Sequence, residues 1–113
     1  MNIILKLLRN GVFLQCIAFI AFSEPVLSQK KRTKHTVEIK KMKFVPPELT
    51  IHKGDTVVWV NRDIFPHDVT ESKNKTWSSS TLEQGKSWYK VITKSTNYYC
   101  SLHIVMKGEL IVK

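Results

Sequence analysis

From His35 onward the sequence is cut into short alternating segments by turn residues, and no stretch carries a helical repeat. "HTVEIKKMKF" alternates Val37 and Ile39, and then Phe44, with charged neighbours, which is how half-buried strands read. "FVPPEL" interrupts with two prolines, and "ELTIHKGDTVVWVN" places two strands around the turn signal Lys53-Gly54-Asp55. In the second of these strands Val57, Trp59 and Asn61 share one face, and Thr56, Val58 and Val60 share the other. "RDIFPHDVTE" reads as a loop running into a strand at His67, and "SKNKTWSSSTLEQGKS" as a polar loop. "SWYKVIT", "TNYYCS" and "KGELIVK" are three more strands. Seven or eight short strands separated by turn signals specify an all-β sandwich. On so small a frame a ligand sits among loops at one end, not in a deep pocket.

The segment before these strands has a different character. Met1 to Asn10 carries Lys6 and Arg9, "GVFLQCIAFIAF" follows as an apolar run, and "VLS" supplies small residues. Basic, apolar and small segments in that order read as a signal peptide over residues 1–28, cut after Ser28. The apolar run is shorter than the ~20 residues that a membrane-spanning helix needs. The expected product is a periplasmic protein with no stable membrane insertion after cleavage. Residues 29–36, including "QKKRTKH", read as a basic flexible tail, and residues 37–113 as one monomeric domain with a modest core.

Without Lys6, Arg9 and Glu24, the exported part keeps 16 basic and 8 acidic residues, a net charge of +8. Such a surface favours an acidic partner. Its lysines are scattered among strands, without the aromatic spacing of an RNA-binding sheet, which argues against nucleic acid.

Of the two cysteines only Cys100 lies in the exported part, so no disulfide can form within it. A lone thiol in an oxidising compartment is buried, shared between chains or bound to a metal. "YYCSLHIVMKG" sets Cys100, His103 and Met106 two residues apart from one another. Structural zinc needs four nitrogen or sulfur ligands, usually from two such pairs, and no second cysteine is available. His67, on an upstream loop, completes a different set. Two imidazoles, one thiolate and a weak thioether form the trigonal His₂Cys arrangement with an axial methionine used for copper electron transfer.

These residues resemble a family. "MKFVPPELTIHKGDTVVWVNRDIFPHDV" followed by "YYCSLHIVMKGELIV" is similar to the small cupredoxins, the type-1 blue copper proteins, and most of all to amicyanins and plastocyanins. The resemblance covers about residues 37 to 112. It implies an eight-stranded Greek-key sandwich with one copper at one end, held by His67, Cys100, His103 and Met106. It also implies that Asp68 and Ser101 support the ligands from behind. Ile104 and Val105, beside His103, would form the apolar port for electron exchange. The function implied is carriage of single electrons between redox partners, such as a dehydrogenase or a cytochrome of acidic surface, and not catalysis. The alternative is a periplasmic copper carrier that hands over the metal, although the exported part has only Met42 and Met106 to offer as thioethers. Three positions depart from the amicyanin pattern: Asp68 stands for asparagine, Ile104 for proline, and Lys94-Ser95-Thr96 for Gly-Thr-Tyr.

Other conspicuous residues have plainer readings. His35 in the basic tail and His52 beside a turn are expected in solvent. Trp59 is expected in the core, and Trp77 and Trp88 are compatible with core or surface. Asp63 is expected to cap a loop.

Overall fold

The computed structural model describes residues 20–24 and 31–113. The basic start of the signal segment and its cleavage site at Ser28 lie outside the described residues. Eight strands follow in order: β1 (Lys34–Lys40), β2 (Lys43–Val45), β3 (Glu48–Ile51), β4 (Thr56–Asn61), β5 (Thr70–Glu71), β6 (Ser87–Val91), β7 (Thr96–Cys100) and β8 (His103–Val112). They form two four-stranded sheets, ordered β2-β1-β4-β6 and β3-β8-β7-β5, that face each other as a Greek-key sandwich of cupredoxin type. Among the described residues no helix is long and apolar enough to cross a membrane.

The core follows from the alternation. Val37 and Ile39 of β1, Val57 and Trp59 of β4, Tyr98 and Cys100 of β7, and Met106 and Leu110 of β8 all point inward. Trp59 is at the centre, with ring centroids 5.3 Å from Tyr98, 5.6 Å from Trp88 and 6.3 Å from Trp77. Trp77 and Trp88 are half-buried against this core. Tyr98 also meets Phe44 edge-on at 4.7 Å. Directly across the sheet from Tyr98 is Gly108, and the tyrosine ring fills the space where a β-carbon would be. Such a ring lying over a cross-strand glycine needs that glycine.

The two strands around Lys53-Gly54-Asp55 are β3 and β4, and the turn between them carries the chain from one sheet to the other. Gly54 takes a φ of 92° there, a conformation that side chains disfavour. The basic tail ends earlier than residue 36, because β1 begins at Lys34 and pairs in parallel with β4 from Lys34↔Thr56 to Ile39↔Asn61. His35 is accordingly half-buried and not solvated. Its Nε2 lies 2.9 Å from a carboxylate oxygen of Asp55, which also accepts the backbone N–H groups of Thr33 and His52 at 3.0 Å each. The Thr33 N–H, then His35, then the His52 N–H hold the buried Asp55 carboxyl down at about 2. His52 itself is exposed.

Another difference concerns the metal-ligand candidates. The strand expected at His67 is reduced to β5, and His67 joins Leu82 in an isolated bridge through two backbone hydrogen bonds of 3.1 and 2.7 Å. At the other end of the chain β8 is longer than "KGELIVK", because it starts at His103. Tyr99 pairs with Lys107 while Cys100 pairs with His103, so the register slips and extra residues bulge out of β8.

Candidate metal centre

That bulge sorts its side chains. Ile104 and Val105 point outward, 69% and 85% exposed, whereas Met106 turns into the core at 3%. Cys100 ends β7 fully buried, His103 opens β8 half-exposed, and only Ser101 and Leu102 separate them. His67, with no exposed surface, comes from the loop before β5. Two strands and one loop therefore converge at one end of the sandwich.

The Cys100 Sγ is 3.8 Å from His67 Nδ1 and 3.7 Å from His103 Nδ1, with imidazole centroids 4.8 Å apart. The three donor atoms all lie within 4.8 Å of one another. Donors spaced this way surround a point that bonds of about 2.0–2.3 Å to a first-row metal ion would reach. One thiol sulfur and two imidazoles make a soft-to-borderline set suited to copper. Met106 is buried in the same core cluster as Cys100.

The ligand candidates are held from behind by a connected polar network. His67 Nε2 lies 2.9 Å from Asp63 Oδ2, so the ring donates there and leaves Nδ1 turned toward the sulfur. Asp63 also accepts the backbone N–H of Lys41 at 2.7 Å and of Met42 at 2.9 Å. Partial desolvation pushes the Asp63 carboxyl up, but the N–H groups of Met42 and Lys41 and the His67 ring outweigh it and leave it below the usual carboxylate range. Lys41 and Met42 form the β1–β2 turn with φ of 52° and 60°, unusual for residues with side chains. Asp63 thus ties a strained hairpin to the histidine. Asn61 supports the loop between them: its Oδ1 accepts the Asp63 N–H, and its Nδ2 donates to Phe65 O and Leu82 O.

A second carboxylate connects the two halves of the centre. Asp68, 5% exposed, accepts from Ser101 N at 2.8 Å, from Thr70 Oγ1 at 3.0 Å and from the Ser101 hydroxyl. Its own N–H points at the Cys100 sulfur, 3.4 Å away. The residue after His67 is in this way bonded to the residue after Cys100. Thr96, which stands where the amicyanin pattern has tyrosine, donates its hydroxyl to Asn97 O at 3.3 Å. Reading from the sequence missed the role of Asp63 toward His67. The available signal was a carboxylate four residues before a candidate ligand histidine.

A mixed sandwich that gathers two imidazoles and one thiol at one end belongs to the class of single-site metal-binding β-sandwiches. The chain is a member of the plastocyanin/azurin family of copper binding proteins, whose family model matches residues 31–113. An amicyanin of Paracoccus versutus is 35% identical over 83 residues, which covers 68% of this chain and 63% of the relative. A Synechococcus plastocyanin is 35% identical over 71 residues, covering 63% of this chain and 48% of that protein. The match therefore spans less than two thirds of these curated relatives. Among solved structures, a Cu(I) form of an amicyanin variant superposes with a TM-score of 0.66 at 28% identity, over 71% of this chain and 82% of the other.

Proposed function

We propose that this protein is an exported type-1 copper protein that carries single electrons between redox partners. His67, Cys100, His103 and Met106 would hold the copper. When bound, copper supplies reversible one-electron chemistry. The observation that carries the reading is the donor triad itself: a fully buried thiol with two imidazole nitrogens at 3.7 and 3.8 Å, preset by a rigid sandwich.

The chain's own residues divide the work. Asp63 orients His67, and the Asp68 N–H and carboxylate hold Cys100 and its neighbour Ser101. A donor set held by such a network rearranges little when its charge changes, which is what a carrier needs. Burial of Cys100, His67 and Met106 keeps water off three sides. His103 is the donor candidate that reaches the surface, and exposed Ile104 and Val105 beside it offer a small apolar contact of the kind used in brief redox encounters. The electron partner is an acidic redox protein, attracted by the positive charge of the domain.

The test is colour. Copper-loaded wild type should show an intense thiolate-to-Cu(II) absorption, and Cys100→Ser should abolish it, because an oxygen donor cannot replace the soft thiolate. Met106→Leu should keep the colour and raise the reduction potential. A protein that binds copper and stays colourless would refute the type-1 assignment.

A further inference from the structure

Away from the donor cluster, at the opposite end of β7, the structure contains a cleft of about 690 Å³. One wall is the loop from Glu71 to Trp77, and the other is the connection from Val91 to Asn97. β7 links the two sites: Thr96 and Asn97 line the cleft and Cys100 ends the strand, about 13 Å further on at 3.3 Å per residue.

Both walls are built in advance. The Glu71 carboxylate accepts the N–H groups of Lys73, Asn74 and Thr76 at 3.1, 2.8 and 3.2 Å, so its oxygens are spent on shaping the loop. Ser72 N donates to Asn97 O at 2.9 Å, which clips one wall to the other. On the far wall Ile92 N bonds Asp55 O, and Ser95 Oγ accepts the Val112 N–H. A preformed cleft avoids much of the ordering cost of binding.

Its chemistry is one-sided. Lys73 and Lys94 stand exposed, one on each wall, and Lys90 lies 5.5 Å above the Trp77 ring in a cation–π contact. Hydroxyl and amide groups of Ser72, Asn74, Thr93 and Asn97 fill the space between. Glu48 and Glu109 line a separate groove, beyond Ser72 and Asn97, and the carboxylate of this cleft, Glu71, is turned onto the N–H groups of its own loop.

We propose that this cleft docks an acidic segment of a protein partner, with its carboxylates between Lys73 and Lys94 and its backbone on the amide and hydroxyl groups. It gives a +8 carrier a second hold on its partner, separate from the apolar contact at Ile104 and Val105. Only the identity of that partner rests on the electron-carrier reading; the binding itself does not.

The probe is a hexaglutamate peptide, titrated into metal-free and copper-loaded protein while backbone amide shifts are followed by NMR. No electron is exchanged, so failure here leaves the carrier reading standing, and a colourless copper protein leaves this one standing. Saturable shifts at Ser72, Asn74, Thr96 and Asn97 are expected in both forms. The double substitution Lys73→Gln with Lys94→Gln should weaken binding by about tenfold, while Lys86→Gln with Lys113→Gln, which removes equal charge outside the cleft, should change it by less than about twofold. Both pairs are exposed, so unchanged melting certifies the folds. Equal weakening by the two pairs, shifts centred on Ile104 and Val105, or equally tight saturation of these amides by inorganic phosphate would each overturn the proposal.

Discussion

Replacing Asp63 by alanine tests whether the hairpin and the histidine are coupled. The carboxylate accepts three hydrogen bonds, and the substitution removes them all. Lys41 and Met42 are exposed, so water replaces the carboxylate at their N–H groups at small cost. His67 is different, because its ring has no exposed surface and Nε2 loses the partner it has. An unsatisfied buried donor costs about 1–3 kcal/mol. Taking about 2 kcal/mol, and about 4–8 °C per kcal/mol for a domain of this size, the metal-free protein should melt about 8–16 °C lower. A ring freed to rotate also presents Nδ1 less reliably, and losses of such outer partners lower metal affinity by about 10–100-fold. Asp63→Asn keeps an acceptor oxygen and should lose roughly half as much. Thermal melts of the metal-free protein and a copper competition titration read the two effects separately. If Asp63→Ala melts within about 2 °C of wild type and binds copper equally well, then the backbone bridge between His67 and Leu82 alone positions the ligand, and the reasoning is wrong.

Four other outcomes follow from the same structure. Gly108→Ala should destabilise the protein by about 1–3 kcal/mol through overlap with the Tyr98 ring, outweighing the ~0.4–1 kcal/mol gained from a stiffer unfolded chain; urea denaturation in a Tyr98→Leu background should show the penalty gone. Asp55 is held down at about 2 from 3.8, so its contribution to stability is complete above the unfolded value and is lost as pH falls toward 2. Urea midpoints of wild type and Asp55→Asn should therefore differ by a constant amount from neutrality to about pH 4 and converge between pH 4 and 2. Asp68→Asn removes a negative charge that favours the oxidised metal, so the reduction potential measured by voltammetry should rise. Ile104→Asp should slow electron exchange with a redox partner in stopped-flow mixing and leave the visible spectrum unchanged, and added salt should slow wild type as screening shortens to ~8 Å.

The sandwich was legible because local alternation and global burial coincide in it. Val37, Ile39, Val57 and Trp59 lie at spacings of two along their strands, and the folded chain buries all four. The donor triad was legible for a chemical reason: few residue types hold copper, and the domain has a single cysteine with a histidine three residues on. Sequence by itself therefore determined the class of fold and which side chains were candidates for the metal. It did not determine how they are supported, because that depends on residues brought together from distant strands. Asp63 meets Lys41 and Met42 only after β1 and β4 have paired, and Asp68 meets Ser101 across 33 positions of chain. His35 looked like part of a solvated tail because the residues before it are basic and its acidic partner is far along the chain. Parallel pairing with β4 brings it to Asp55, twenty residues away. Alternation records which face a residue takes, but hydrogen-bond partners are chosen by geometry in three dimensions, and only the assembled sheets supply that.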